Sequence, residues 1–225
     1  MTLTLEAYMR LKFSLTFLLL LFFSTNVIAN IIQTTVTANE LVNGGFEDNN
    51  VANGGWMWTS SDNVNGWDGS NIEVWNNLFG FGAFEGTNYI ELNAHGSGKS
   101  YSIYQSFYTD AGAIYDLSFA YAARRSTNEA FSVEVINELG DSILSVEIND
   151  HSIKQWQLYQ TQFIANSALT TLRLSTISLG TLGNLIDNIT VVSREFLVQQ
   201  VSISGTGCVF IFASMLVLFR RKQRP

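Results

Sequence analysis

The sequence predicts an all-β protein, a jelly-roll β-sandwich with a segment of a different kind at each end. Three observations carry this. Short runs alternate apolar and polar residues with a period of two, as strands with one buried face do. Turn pairs punctuate the chain at Asn43-Gly44, Asn53-Gly54 and Asn65-Gly66, where both residues accept a positive φ. Between the two ends no stretch places apolar residues at the 3.6-residue spacing of an amphipathic helix.

Ile114 to Arg125, IYDLSFAYAARR, is the clearest strand and belongs in the middle of the sandwich. Tyr115, Leu117, Phe119 and Tyr121 point one way and make a large aromatic face for a core. Ile114, Asp116, Ser118, Ala120 and Ala122 point the other way, a small and polar face suited to a covering layer or to solvent. The remaining strands follow in order. Glu40 to Phe46 reads as a first short strand, and residues 48–71 as a polar, Gly-rich loop. Ile72 to Trp75, Asn88 to Leu92 and Ser100 to Phe107 precede the central strand. Phe131 to Ile136, Ile143 to Ile148, Trp156 to Ala165, Leu169 to Ser178 and Leu185 to Val192 follow it. About ten short strands with turn signals between them define a sandwich or jelly roll. The early loop is long for a compact domain, and loops of that length are often functional.

Charge and cysteine usage narrow the function. Residues 30–196 hold six Lys and Arg against eighteen Asp and Glu. That balance excludes nucleic acid, which needs a basic footprint, and suits a divalent cation. The single cysteine, Cys208, lies in the C-terminal apolar segment. The sandwich therefore has no disulfide and no thiol nucleophile.

The ends read as export and retention signals. Arg10 and Lys12, the apolar run Phe13 to Phe23 and the sequence Val27-Ile28-Ala29 form a signal peptide over residues 1–29; Met9 opens the more usual start for such a peptide. Residues 30–38 link it to the sandwich at 39–193, and 194–200 form a second linker. Residues 201–219 as a helix would extend roughly 28 Å, enough to cross a bilayer. The basic residues at 220–225 would stay cytoplasmic. This layout resembles the PEP-CTERM and GlyGly-CTERM sorting tails of Gram-negative bacteria, although no Pro-Glu-Pro precedes the helix. The resemblance implies a sortase-like or rhomboid-like processing enzyme as partner, the alternative being a plain anchor. The expected location is outside the inner membrane, either anchored there or released to the cell surface.

Several motifs fall in a consistent order: Asn43-Gly44-Gly45-Phe46-Glu47, Gly66-Trp67, Ile72-Glu73-Val74-Trp75, Gly86 to Leu92, Tyr104-Gln105-Ser106-Phe107, Tyr115 to Arg124, and Leu185-Ile186-Asp187-Asn188-Ile189. Together they resemble the galactose-binding-like jelly rolls of carbohydrate-binding modules and of the DUF642 type of cell-wall protein. The resemblance implies a structural Ca2+ joining the two chain ends, with Glu47 and Asp187 as its ligands. The alternative for these two is an ordinary turn acid and an ordinary strand-end acid.

Sugar recognition of this kind uses aromatic faces and planar hydrogen-bonding groups. The candidates are Trp56, Trp58, Trp67, Tyr104, Arg124 and Arg125. Trp56 and Trp58 sit in the Gly-rich loop and are the better placed for exposure, whereas Trp75, inside a strand, is the most core-like. Each Trp has core packing as its alternative. For Arg124 the alternative to a ligand contact is an internal ion pair with Asp116 or Glu134. His95 and His151 read as surface polar residues, and no catalytic grouping emerges. The expectation is a non-enzymatic, envelope-associated carbohydrate-binding module for an exopolysaccharide or wall glycan. A structural matrix or adhesion protein that contacts other proteins is the alternative, followed by a small glycan-active enzyme.

Overall fold

The computed structural model describes the backbone of residues 26–94 and 101–204, and side chains over 38–94 and 101–194. The described strands are β1 (Asn26–Asn39), β2 (Trp56–Thr59), β3 (Asp68–Gly69), β4 (Ile72–Asn76), β5 (Asn88–Glu91), β6 (Ser102–Tyr108), β7 (Ile114–Ala122), β8 (Phe131–Asn137), β9 (Ser142–Ile148), β10 (Gln157–Ile164), β11 (Leu169–Thr176) and β12 (Leu185–Ser204). They form a jelly-roll sandwich. One sheet, here sheet A, has the order β10-β7-β12-β5-β4-β2, with β1 beside β12; sheet B has the order β3-β6-β11-β8-β9.

The period-two reading of β7 holds residue by residue. Tyr115, Leu117, Phe119 and Tyr121 are all buried in the core between the sheets. Phe119 stacks on Tyr159 at 5.0 Å and meets Phe131 of the other sheet at 5.8 Å. The opposite, small face of β7 is also covered at its end. Ala122 lies in a second apolar cluster with Trp75, Leu78, Tyr89 and Leu185, on the outer side of sheet A. Small residues are needed there because large rings from the loops lie against them.

The expected first strand at 40–46 is a correction. That stretch turns, because Asn43 (φ 51°) and Phe46 (φ 60°) take the left-handed conformation, outside the extended range of a regular strand. What it does is tie the start of the sandwich to its finish. Glu40 N donates to Val191 O at 2.8 Å and Ile189 N donates to Gly44 O at 2.9 Å. The Asn39 side chain accepts from Val191 N at 2.8 Å and donates to Ile189 O at 3.1 Å. Gly44 is fixed by this crossing: a Cβ there would come within 2.0 Å of the Ile189 carbonyl oxygen. Gly44→Ala must push the two segments apart, and a loss of about 1–3 kcal/mol is expected. Thermal unfolding measures it, and an unchanged Tm would contradict the packing described.

The expectations for the ends fall mostly outside the described residues. Residues 1–25 of the signal peptide and 205–225 of the membrane helix and basic tail are not described. At their inner edges Asn26–Ala29 and Val201–Ser204 are extended backbone within β1 and β12. Among the described residues no helix is long and apolar enough to cross a membrane.

Candidate functional site

The outer face of sheet A carries the features that packing alone does not demand. β2 pairs with β4 so that Trp56 lies opposite Trp75 and Trp58 opposite Glu73. Met57, between them, turns inward onto the core. The two indoles of β2 therefore share the outer face, and they are 51% and 46% exposed. β2 was not legible as a strand, since four residues flanked by Gly and polar residues give too short an alternation. The exposure of its tryptophans was.

Beside this pair the face closes over an aromatic and ionic cluster. Arg124 follows β7 and turns back across the sheet. Its guanidinium lies 4.6 Å from the Trp75 ring centre and 5.7 Å from that of Phe79. Its Nη1 donates to both Glu91 carboxylate oxygens, at 3.1 and 2.9 Å. Glu91, fully buried on β5, also accepts from Gly183 N at 2.6 Å. Burial pushes the Glu91 carboxyl up to about 8, against the pull of Gly183 and Arg124 and with a further push from Glu73. The expected partners for Arg124, Asp116 and Glu134, are paired with Arg194 and Arg173 instead. Phe79 stands 63% exposed at φ 56°, a costly conformation for a Phe and one that strained ligand-contact segments tolerate. Trp156 reaches over from the loop before β10. It stacks on Phe81 at 5.1 Å and donates its Nε1–H to Gly82 O at 2.9 Å.

The other candidates are dispersed. Trp67 is 2% exposed, stacked on Phe46 at 5.4 Å with its Nε1–H given to Asn43 O; a ring so enclosed offers no face to a ligand, which corrects that expectation. Tyr104 is exposed, but on β6, whose outward row Tyr104, Arg173, Glu134 belongs to the far side of sheet B. Arg125 is exposed in the turn after β7. His151, expected at the surface, is buried instead; His95 lies outside the described residues.

Glu47 and Asp187 meet at the edge of the aromatic cluster. Both flank Gly45, whose Cβ would lie 3.9 Å from Glu47 Cγ and 4.0 Å from Asp187 Oδ1. Each carboxylate holds one part of the loop between β4 and β5. Asp187 accepts from Phe84 N at 2.7 Å and Glu85 N at 3.0 Å; Glu47 accepts from Thr87 N and Asn88 N, both at 2.8 Å. This loop is the one that presents Phe79, Phe81 and Phe84. A bulge after Asp187, with Asn188 at φ 49°, breaks the ladder there. Burial raises the Asp187 carboxyl to about 7, the nearby Glu47 adding to the push.

A cation held here would meet oxygen donors only, and the four carboxylate oxygens already accept hydrogen bonds. Among the described residues no three His, Cys, Asp or Glu side chains converge, so the site offers two carboxylates and otherwise neutral oxygens. Asn88 gives its amide N–H groups to Phe46 O and Asn49 O, leaving Asn88 Oδ1 buried without a hydrogen bond. Asn49 Oδ1 is likewise buried and unpartnered. Oxygen-only donors on irregular loops fit Ca2+ and not a transition metal.

The two-sheet arrangement, the clasped ends and the loop pinned by Glu47 and Asp187 define a jelly-roll β-sandwich. The chain belongs to the family described as Protein of unknown function (DUF642), whose model matches residues 39–192. No curated protein matches it. Its fold is similar to TmCBM61 in complex with β-1,4-galactotriose, at 18% identity and TM-score 0.47, over 69% of this chain and 98% of that one. It is similar to Family 16 Carbohydrate Binding Module-2, at 17% identity and TM-score 0.47, over 68% and 99%. It is also similar to CBM35 from Paenibacillus barcinonensis, at 22% identity and TM-score 0.40, over 60% and 97%.

Proposed function

We propose that the protein is a glycan-binding module whose ligand lies along the outer face of sheet A, and that it carries out no chemistry on that ligand. The observation that carries this reading is the pair Trp56 and Trp58, half exposed on one short strand. Leaving two indoles in water forgoes the hydrophobic gain of burying them, which is consistent with a partner that stacks on them. The C–H face of a pyranose has the required flat, weakly apolar surface. Phe79 adds an exposed ring against Trp75, which lies opposite Trp56 across the strand pair. Farther along the same face a groove of about 470 Å³ is lined by Asp116, Ser118, Gln160, Gln162, Thr190 and Arg194. Its amides, hydroxyls and guanidinium are groups that bind sugar hydroxyls. Glu91, whose raised carboxyl could in principle donate a proton, is sealed beneath Arg124 and out of reach of a bound chain, so binding without catalysis fits best.

In this reading the module is exported and held at the cell envelope by the C-terminal apolar segment. Ca2+, bound through Glu47 and Asp187 with Asn49 and Asn88 oxygens, would fix the loop that carries Phe79, Phe81 and Phe84. The pH dependence has a definite sign. Asp187 has a folded-state pKa near 7, above its ordinary 3.8. The stability from its protonated form is complete below about pH 4 and is lost as pH rises through 7. Cation binding needs the carboxylate. Added Ca2+ should therefore raise Tm strongly at about pH 8 and little at about pH 5. Equal effects at both, or none at either, would remove the metal from the reading. The function itself is tested by a glycan array probed with the full chain, with and without chelator. Binding to at least one polysaccharide is expected, and silence across neutral and acidic glycans alike would sink the proposal.

A further inference from the structure

His151 has no part in the glycan-binding reading, and its surroundings are unusual. It is 3% exposed, and both ring nitrogens are buried without a hydrogen-bond partner. Its ring packs edge-to-face with Tyr121 on β7 at 5.1 Å and with Phe131 on β8 at 5.6 Å. The charged and titratable groups that face it come from three places. Tyr121 comes from β7, its hydroxyl given to Asp150 at 2.7 Å. Asp150 comes from the histidine's own loop. Glu129 comes from the turn that leads into β8, and it is itself buried. Glu129 is already committed: its oxygens accept the backbone N–H groups of Arg124, Arg125, Ser126 and Asn184. It has little left to offer an imidazolium.

The ring sits where two segments of the proposed ligand face are anchored. One is the turn after β7, which holds Arg124 over Trp75. The other is the loop from Asn149 to Trp156. This loop is fastened to the first by Ala123 N donating to Ser152 O at 3.0 Å and Lys154 N donating to Ala123 O at 2.8 Å. Lys154 takes φ 48°, so the loop is bent tightly before it delivers Trp156. A neutral imidazole packs here as an apolar ring does. A charged one must find water or a free carboxylate, and the way out is through the 149–156 loop.

We propose that His151 is an acid-triggered latch: when it is neutral the 149–156 loop stays docked and Trp156 stays against Phe81, and when it is protonated the loop lifts and Trp156 leaves the aromatic cluster. The consequence for glycan affinity rests on the function proposed above; the loop movement does not. Burial outweighs the nearby carboxylates and lowers the His151 pKa below its ordinary 6.5, so the latch opens below the ordinary histidine range.

The test is NMR of the full chain, following the His151 ring and the Trp156 indole N–H from about pH 7.5 to about pH 4.5. The expected result is a His151 midpoint below 6.5, a Trp156 signal that moves with the same midpoint, and core amides of β7 and β8 that do not change. In His151→Phe, which keeps the apolar packing and cannot be protonated, the Trp156 signal should stay in place over that range. If His151→Phe does not fold, the wild-type titration decides alone. A His151 midpoint at or above 6.5, a Trp156 signal that ignores it, or the same Trp156 response in the variant overturns the latch. Loss of glycan binding on an array with an intact latch would instead count against the proposed function.

Discussion

Arg124→Ala is expected to destabilise the sandwich by an amount that grows as pH rises above about 8, towards about 3–5 kcal/mol. The reason is what it leaves behind. Glu91 is buried and, without the guanidinium, retains only Gly183 N–H as a donor to its carboxylate. An uncompensated buried carboxylate is costly, far more than the pair is worth against an apolar replacement. Trp75 and Phe79 also lose the cation between them. The penalty should depend on pH with a predictable sign. Glu91 already has its pKa raised to about 8, and removing Arg124 raises it further. The stability of its protonated form is present in full below the ordinary carboxylate range and disappears as pH rises through 8. Denaturant unfolding should therefore show a smaller loss at about pH 5 than at about pH 9.5. The double variant Arg124→Met with Glu91→Gln should recover most of the stability. A loss that is the same at both pH values would mean that Arg124 acts through packing alone.

The second large effect concerns binding. Trp56→Ala and Trp58→Ala should each weaken affinity for whatever glycan the array identifies by about 30-fold, as expected of a truncated aromatic anchor worth about 2 kcal/mol. The double variant should bind at least a further tenfold more weakly, roughly another 1.4 kcal/mol. Both residues are half exposed, so Tm should fall little. Trp67→Ala is the contrast: its ring lies in the core, so a stability loss of about 3–5 kcal/mol is expected, with affinity retained in the fraction that folds. Titration calorimetry beside thermal unfolding separates the two classes. Affinity that survives the loss of both exposed rings would move the ligand elsewhere.

The strands that alternate over seven or more residues were readable because each has one face against a core. β7, β8 and β11 bury every second residue or more, and their sequences show it. The start of the sandwich misled for a reason that is equally physical. Leu41 and Phe46 are buried, so the apolar content suggested a strand, but the left-handed residues at 43 and 46 decide the path. Arg124 was correctly suspected of an internal pair, yet its partner, Glu91, is reached only because the turn held by Glu129 folds Arg124 back over β5. Nothing in the spacing of 91 and 124 announces that. His151 likewise looked like a turn residue; its burial depends on Tyr121 and Phe131 arriving from two different sheets. Contacts made by long-range folding of loops leave no local period to read.

The clasp at Asn39 has one more consequence. β12 begins next to Glu91 and Ala122 and passes Asp116 and Tyr115 on its way out, where the incoming chain lies hydrogen-bonded alongside it. Entry and exit thus share a doorway at one pole of the sandwich, while Trp75, Phe79 and Trp156 gather towards the other. The sandwich is for the same reason a natural candidate for rewiring its ends, with the polypeptide joined across the doorway and reopened at the exposed Leu139-Gly140 hairpin tip.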